Sequence, residues 1–255
     1  MLVQEELIAR TRRLCATDGR LDAALMYGSF AAGEGDAYSD IEFWLFFDPA
    51  RLAEVDPREW CERVAPVRHL VLNEVGTYVA FFPGLVRGEF HFVATDAIAG
   101  VAHWPARGAA VERMVVKDRT GELTPVLEGL PDSAEEGDAE ALCGRFANWL
   151  LLAHHVAARG ELLRAWDALG AVQRHLLWLT RLHEGAVRHW LTPSRGAEGE
   201  LSGPAYTALA EATAGAADVD RALAAAWRTG RALWRELGVP VPEELFGELD
   251  RALGQ

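Results

Sequence analysis

Lysine is almost absent from this chain of 255 residues: 24 of its 25 basic residues are arginine, and the one lysine is Lys117. The 38 acidic residues give a net charge of −13. This charge excludes a duplex nucleic-acid binder, which needs a basic face to displace counterions, and it argues against an anionic membrane surface. A small cationic partner suits the charge better. Any phosphate contact must come mainly from arginine, backbone amides, hydroxyls or a metal ion.

Cysteine and long apolar runs are also scarce. Cys15, Cys61 and Cys143 are far apart and form no CxxC pair, which excludes a zinc ribbon and a disulfide framework. No run approaches about 18 apolar residues without a charge, so no membrane span is predicted. The N-terminal segment carries an early acidic pair and is not typical of a signal peptide. We therefore expect a cytoplasmic protein.

The pattern of apolar residues changes near residue 133 and predicts two domains. Helices are predicted at 3–17 and from Asp56-Pro57 to about 65, and strands at 22–28, 38–48, 68–74, 77–82, 86–94 and 112–117. Later segments have helical periodicity, at 134–158, 161–184, 202–213, 217–236 and 242–253. The predicted fold is α/β (α+β), with a mixed β-sheet flanked by helices at 1–132 and a helical bundle at 133–255.

Two carboxylates follow a Gly-Ser turn in the first half. Asp40 and Glu42 stand two residues apart in a predicted strand, so their side chains project from one face. Two carboxylates about 4 Å apart repel by roughly 4 kcal/mol at an effective dielectric of 20, which favours a bound proton or a hard cation such as Mg²⁺. Gly28-Ser29 offers amides and a hydroxyl to a phosphate. The alternative is an exposed edge strand whose acids face water, although the aromatic residues of 41–47 favour a buried strand.

A second group of polar residues lies in the predicted strand 86–94. Alternation places Arg87, Glu89 and His91 on one face, so Glu89 is a candidate third carboxylate that ligates a metal or accepts a proton. The alternative is a surface strand on which these residues are only same-face partners. The chain has no G-x-S-x-G elbow, no Walker P-loop and no H-E-x-x-H motif. A serine hydrolase of that type, a P-loop protein and a zinc protease of that type are therefore not predicted.

These motifs resemble the nucleotidyltransferase superfamily, and more closely the lincosamide nucleotidyltransferases of antibiotic resistance, of the larger two-domain type. Residues 28–43, GSFAAGEGDAYSDIEF, are similar to the Gly-Ser turn and acid-x-acid pair of that family. Residues 87–92, RGEFHF, are similar to its third-acid strand, and residues 172–174 and 190–195 resemble its helical domain. The resemblance thus extends over nearly the whole chain and identifies 1–132 as the nucleotidyltransferase domain.

The resemblance implies an enzyme that transfers AMP from ATP, its co-substrate, to a hydroxyl of a small acceptor and releases pyrophosphate. It implies that Asp40 and Glu42 are catalytic and hold one or two Mg²⁺ ions. Glu89 would be a further metal ligand and the general base. The acceptor expected from the family is a cationic, hydroxylated antibiotic of the lincosamide type.

The resemblance also implies how the nucleotide is bound. Gly28 and Ser29 would hold its terminal phosphates. Many relatives carry a basic residue soon after Gly-Ser, where this chain has Ala31 and Ala32. The cationic phosphate contact is therefore assigned to Arg87 or Lys117, and the alternative is that this chain has none.

Two other functions stay open at this stage. One is a nucleotidyltransferase that acts on an aminoglycoside, another natural product or a protein hydroxyl. The other is a non-catalytic nucleotide-binding module. The helical half is compatible with a homodimer, and the sequence does not identify the acceptor.

Overall fold

Residues 1–254 are described in a computed structural model, and the chain divides into two units, Met1–Ala134 and Glu135–Gln255. The first unit holds a mixed six-stranded sheet, and the second is helical. The predicted α/β fold class is therefore confirmed. None of the helices within residues 1–254 combines the length and apolar character that a bilayer crossing requires.

The sheet of the first unit has the strand order β3-β4-β5-β2-β1-β6. Its strands are β1 Leu21–Met26, β2 Ile41–Phe47, β3 His69–Leu72, β4 Tyr78–Phe82, β5 Val86–Ala94 and β6 Val115–Asp118. All neighbours are antiparallel except β2 and β5, which run parallel. A parallel pair needs a crossover connection, and here β3 and β4 lie within that connection.

Strands β2 and β5 occupy the centre of the sheet, which explains their aromatic sequences. Ile41, Phe43 and Leu45 of β2 are fully buried, and so is Phe90 of β5. Since both strands have neighbours on each side, the exposed edge strand considered above is excluded for β2, and an edge position is excluded for β5.

Short and long helices flank the sheet. They are α1 Val3–Thr17, α2 Gly28–Ala32, α3 Pro57–Glu62, α4 Ile98–Val101, α5 Val111–Met114 and α6 Leu123–Glu128. Helix α1 contacts β2 and β6 and has the bounds predicted from its periodicity. Asp56 caps helix α3 as predicted: its carboxylate accepts a hydrogen bond from the Glu59 amide at 2.9 Å, and Pro57 lies in the first turn.

Two predicted strands begin three residues later than expected. Strand β2 begins at Ile41 rather than 38, because Asp36 Oδ1 accepts hydrogen bonds from the Tyr38 amide and the Ser39 hydroxyl and so holds a turn. Strand β6 begins at 115 rather than 112, because residues 111–114 form the helical turn α5 with Met114 buried. A single helical turn is too short to show helical periodicity in the sequence.

The second unit consists of helices, as its periodicity predicts. They are α7 Ala139–Ala158, α8 Leu162–Glu184, α9 Ala197–Glu200, α10 Gly203–Glu211, α11 Val219–Glu236 and α12 Glu243–Leu253. Helices α7, α8 and α11 contact one another, and the apolar stripe of α8 is buried, at Leu169, Val172, Leu176 and Leu179. Asp138 and Ser202 cap α7 and α10, and Gly185 ends α8 in the left-handed conformation.

One buried arginine organises the segment after α8. The guanidinium of Arg181 is fully buried and donates hydrogen bonds to the carbonyls of Pro193, Ala186 and Arg195. It also forms a 2.7 Å ion pair with Glu200. The loop between α8 and α9 is thereby fastened to the helix, because these carbonyls have a donor in the interior.

Candidate active site

Gly28 begins the site at the end of β1. It has φ of +71°, a conformation that residues with a Cβ adopt at a cost. The preceding Tyr27 amide donates to the carbonyl of Glu42 at 3.1 Å, which ties the turn to β2. A Cβ at Gly28 would overlap the Glu42 carboxylate, and even the farther oxygen, Oε1, would lie only 2.6 Å away. The Glu42 carboxylate therefore rests on the bare backbone of the turn. Ser29 follows and is buried.

Glu42 and Glu89 are directly opposite one another on the parallel pair β2 and β5. Neighbouring strands lie about 4.8 Å apart, so the two side chains leave the same face of the sheet side by side. Asp40 immediately precedes β2. All three carboxylate residues are half-buried, and the fold brings them to one end of the central strand pair.

Arg87 joins two of these carboxylates. Its Nη1 donates to Asp40 Oδ2 at 2.7 Å and its Nη2 donates to Glu89 Oε1 at 2.6 Å. Arg87 and Glu89 are two residues apart on β5 and share a face, as alternation predicts. The link to Asp40, on a different strand segment, is a contact that only the tertiary structure shows. The guanidinium thus neutralises part of a concentrated negative charge.

An aromatic group adjoins the carboxylates on the same face of the sheet. His91 is opposite Trp44 in the strand register, and their rings stack with centroids 4.1 Å apart. The Tyr27 hydroxyl lies 3.0 Å from Nε2 of His91, and Trp104 meets Tyr27 and Trp44 edge-on. Sequence reasoning left Tyr27, Trp44 and Trp104 out. Period-two alternation from Glu42 to Trp44 was the available signal for one of them.

The electrostatics of this aromatic group follow from burial and from the carboxylates. Burial, and then the negative charges of Glu42, Glu89 and Asp40, raise the pKa of the Tyr27 hydroxyl. Burial lowers the pKa of His91 to about 4, so that its imidazole is neutral at pH 7. The group is thus an uncharged aromatic wall beside an anionic cluster.

The carboxylates suit a hard cation by their donor chemistry. Asp40, Glu42 and Glu89 offer the oxygen ligands that Mg²⁺ prefers. As the side chains stand in residues 1–254, no three potential ligands converge closely enough to hold a metal ion. The cation that does lie on two of the carboxylates is the Arg87 guanidinium. The group therefore accepts positive charge, and its donor set fits a divalent ion.

The structure does not bring Lys117 to the other predicted site residues. Lys117 lies on β6 opposite Ala24, and its ammonium donates to the carbonyl of Asp18 at 2.9 Å, just before β1 begins. Gly28 lies beyond the other end of β1. Gly28, Ser29, Asp40, Glu42, Arg87 and Glu89 all lie at that second end.

Comparison with known proteins defines the class. Residues 135–252, a little less than half of the chain, match the family described as "Lincosamide nucleotidyltransferase-like, C-terminal domain". This match supports the predicted resemblance to the nucleotidyltransferases and the predicted class of enzyme. The second unit of the chain is the C-terminal domain of the lincosamide nucleotidyltransferase-like family, and the predicted resemblance is confirmed.

One solved structure is similar to this chain over most of its length. The crystal structure of an aminoglycoside 6-adenyltransferase from Bacillus subtilis is similar over 98% of this chain and 96% of that one, with 12% sequence identity and a TM-score of 0.40. At this identity and TM-score the likeness does not bear on the chemistry of the present chain. No curated protein matches the chain in sequence.

Proposed function

We propose that this chain transfers AMP from ATP to a hydroxyl of a lincosamide-type antibiotic, with Mg²⁺, and releases pyrophosphate. The observation that carries the proposal is the placement of Glu42 opposite Glu89, with Asp40 beside them and the Gly28 turn under the Glu42 carboxylate. Phosphoryl-type transfer needs positioned negative oxygens and charge neutralisation more than it needs covalent chemistry. The carboxylate cluster at the end of the two central strands supplies the positioned negative oxygens.

Asp40, Glu42 and Glu89 are the residues that would hold Mg²⁺. When bound, the ion would neutralise charge on the triphosphate and orient it. The backbone amides of the Gly28 turn and the Ser29 hydroxyl would contact the terminal phosphates. Arg87 is the cationic side chain nearest to this group and would pair with a phosphate in the forked geometry that guanidinium favours.

Glu89 is assigned as the general base. The acceptor oxygen forms a bond to the α-phosphorus, the bond from that phosphorus to the bridging oxygen breaks, and the hydroxyl proton passes to the Glu89 carboxylate. General base catalysis contributes roughly 10²- to 10⁴-fold in rate. The neutral His91, two residues further along β5, leaves Glu89 without a competing positive charge from that side.

The proposed acceptor follows from the family and the charge. The family that matches the second unit is described by its action on lincosamides. The net charge of −13 favours the approach of a cationic acceptor over an anionic one.

The test is turnover with α-labelled ATP and a lincosamide in the Glu89→Gln variant. We expect turnover to fall by about 10²- to 10⁴-fold, because the amide keeps the shape of the carboxylate but cannot take the proton. Glu74→Gln is the matched control, since Glu74 is exposed in the turn between β3 and β4. Unchanged turnover in Glu89→Gln would remove the assigned role.

A panel of acceptors tests the substrate. We expect label to appear in the lincosamide. Label in an aminoglycoside or only in a protein would refute the lincosamide assignment and keep the reaction class. Stabilisation of the protein by ATP and Mg²⁺ without labelling of any acceptor would favour a non-catalytic nucleotide-binding module.

A further inference from the structure

Arg87 is placed where it competes with a metal ion for the carboxylates. Its two terminal nitrogens contact one oxygen each of Asp40 and Glu89, at 2.7 and 2.6 Å. These are two of the three carboxylates that the proposed function assigns to Mg²⁺, and this inference rests on that assignment. An ion that used the same oxygens would meet a positive charge within bonding range of its ligands, and the two cations would repel.

The guanidinium is nonetheless free to leave. The Arg87 side chain is 42% exposed, and the two oxygens it holds belong to carboxylates that are 27% and 24% exposed. Exposed ion pairs of this kind contribute little to stability, so a better partner can displace them. A triphosphate is such a partner, because phosphate oxygens match the guanidinium fork and carry more charge than one carboxylate.

We propose that Arg87 is an exchangeable counter-cation that couples metal binding to nucleotide binding. Without nucleotide, it bridges Asp40 and Glu89 and weakens binding of a divalent ion. When a triphosphate enters, the guanidinium transfers to the phosphates and frees both carboxylates for the ion. Coupling of this kind is reciprocal, so the ion also strengthens nucleotide binding by the same factor.

The opposing interpretation is that the bridge is a fixed structural ion pair. In that case Arg87 holds β5 against the segment before β2 in every state, and its removal changes stability but does not raise metal affinity. Metal affinity in the absence of nucleotide separates the two interpretations, since it is measured without turnover.

The experiment measures Mn²⁺ binding to the full chain by electron paramagnetic resonance of the free ion. Arg87→Met removes the bridge, and Arg51→Met is the matched control, because Arg51 pairs with the single exposed carboxylate of Glu54 and its loss changes the net charge equally. We expect Arg87→Met to bind Mn²⁺ at least about tenfold more tightly without nucleotide, within the usual range of coupling between sites. We expect Arg51→Met to match the wild type.

The nucleotide arm uses a non-hydrolysable ATP analogue. Saturation with the analogue should tighten Mn²⁺ binding to the wild type much more than to Arg87→Met, in which the carboxylates are already free. Adding Glu89→Gln to Arg87→Met should cancel the gain, which locates the ion on this cluster by a double-mutant cycle. If Arg87→Met does not fold, Arg87→Lys serves instead, because one ammonium cannot repeat the forked bridge, and we expect an intermediate gain.

One result would overturn only the counter-cation role of Arg87, and a different result would overturn the proposed function as well. Equal Mn²⁺ affinity of the wild type and Arg87→Met without nucleotide, with the analogue still tightening both, overturns the counter-cation and leaves the proposed function standing. Absence of Mn²⁺ binding in every variant, with and without the analogue, overturns the proposed function and the inference with it.

Discussion

Gly28 offers the sharpest test of the site, because one added methyl group probes both the backbone of Gly28 and the position of the Glu42 carboxylate. Gly28→Ala places a Cβ on a residue with φ of +71° and into the space of the Glu42 carboxylate. The left-handed conformation costs a residue with a Cβ about 1–2 kcal/mol. Alanine also restricts the unfolded chain more than glycine does, and this stabilises the folded state by about 0.4–1 kcal/mol. The net loss in the free energy of unfolding is therefore about 1 kcal/mol.

Gly76→Ala is the control that separates the two effects. Gly76 has φ of +82° in the turn between β3 and β4, and a Cβ there meets nothing within 4 Å. It should lose about 1 kcal/mol for the same backbone reason. It should keep wild-type activity, since no carboxylate has to move.

The expected difference between the two variants is in the reaction. In Gly28→Ala the Glu42 carboxylate must leave its position on the turn, and misplacement by about 1 Å costs a catalytic group about 100-fold. Pyrophosphate release measures turnover, and urea unfolding measures stability. Equal turnover in the two variants would refute the idea that Glu42 must rest on Gly28. A fall in Gly76→Ala as large as in Gly28→Ala would show that backbone strain alone reduces activity.

Two further predictions concern stability. Asp18 is buried and accepts hydrogen bonds from Arg20 and Trp60, and the bond from Arg20 chiefly lowers its pKa from 3.8 to about 2. The Asp18 carboxylate therefore stabilises the fold above about pH 4 and loses this effect as the pH falls towards 2. In urea unfolding, Asp18→Asn should lower the free energy of unfolding by about 2 kcal/mol at pH 7 and by progressively less below pH 4. Arg181→Met should cost about 3–5 kcal/mol, because it leaves buried carbonyls without their donor and removes the ion pair between Arg181 and Glu200. Amide hydrogen exchange should accelerate at residues 186–195.

Each stability prediction has a control and a contrary result. Asp48→Asn changes the same charge at a half-buried site, so a loss of equal size there would assign the Asp18 effect to net charge. An Asp18→Asn deficit that does not change between pH 7 and pH 2 would contradict its assignment to ionisation. Arg159→Met removes an exposed arginine at the end of α7. Exchange at 186–195 that rises equally in both arginine variants would contradict the role of Arg181.

Local periodicity determined much of the fold. The bounds of α1 were predicted because charged and apolar residues alternate at helical spacing over four turns. The stripe on α8 and the capping residue Asp56 were equally visible, since both depend on residues within a few positions of one another. The helical turns α2, α4 and α5 are too short for that signal, and β6 was consequently assigned three residues too early.

The candidate site was predictable as a set of residues, and its contacts were not. Gly28, Asp40, Glu42 and Glu89 were selected by their types and spacing. The sequence also determined that Glu89 and Arg87 share a face, because strands alternate with period two. It did not determine that Glu42 is opposite Glu89, since strand order and register depend on which distant strands pair.

The sequence by itself thus determined which functional groups are present: an acidic chain with one lysine, the three candidate carboxylates Asp40, Glu42 and Glu89, and a Gly-Ser turn. Only the tertiary structure decided how these groups meet. It placed β5 beside β2, laid the Glu42 carboxylate on Gly28, and joined Arg87 to Asp40 across 47 positions of the chain. It also sent Lys117 to the carbonyl of Asp18. Side-chain type is local information, whereas contact depends on the packing of the whole unit.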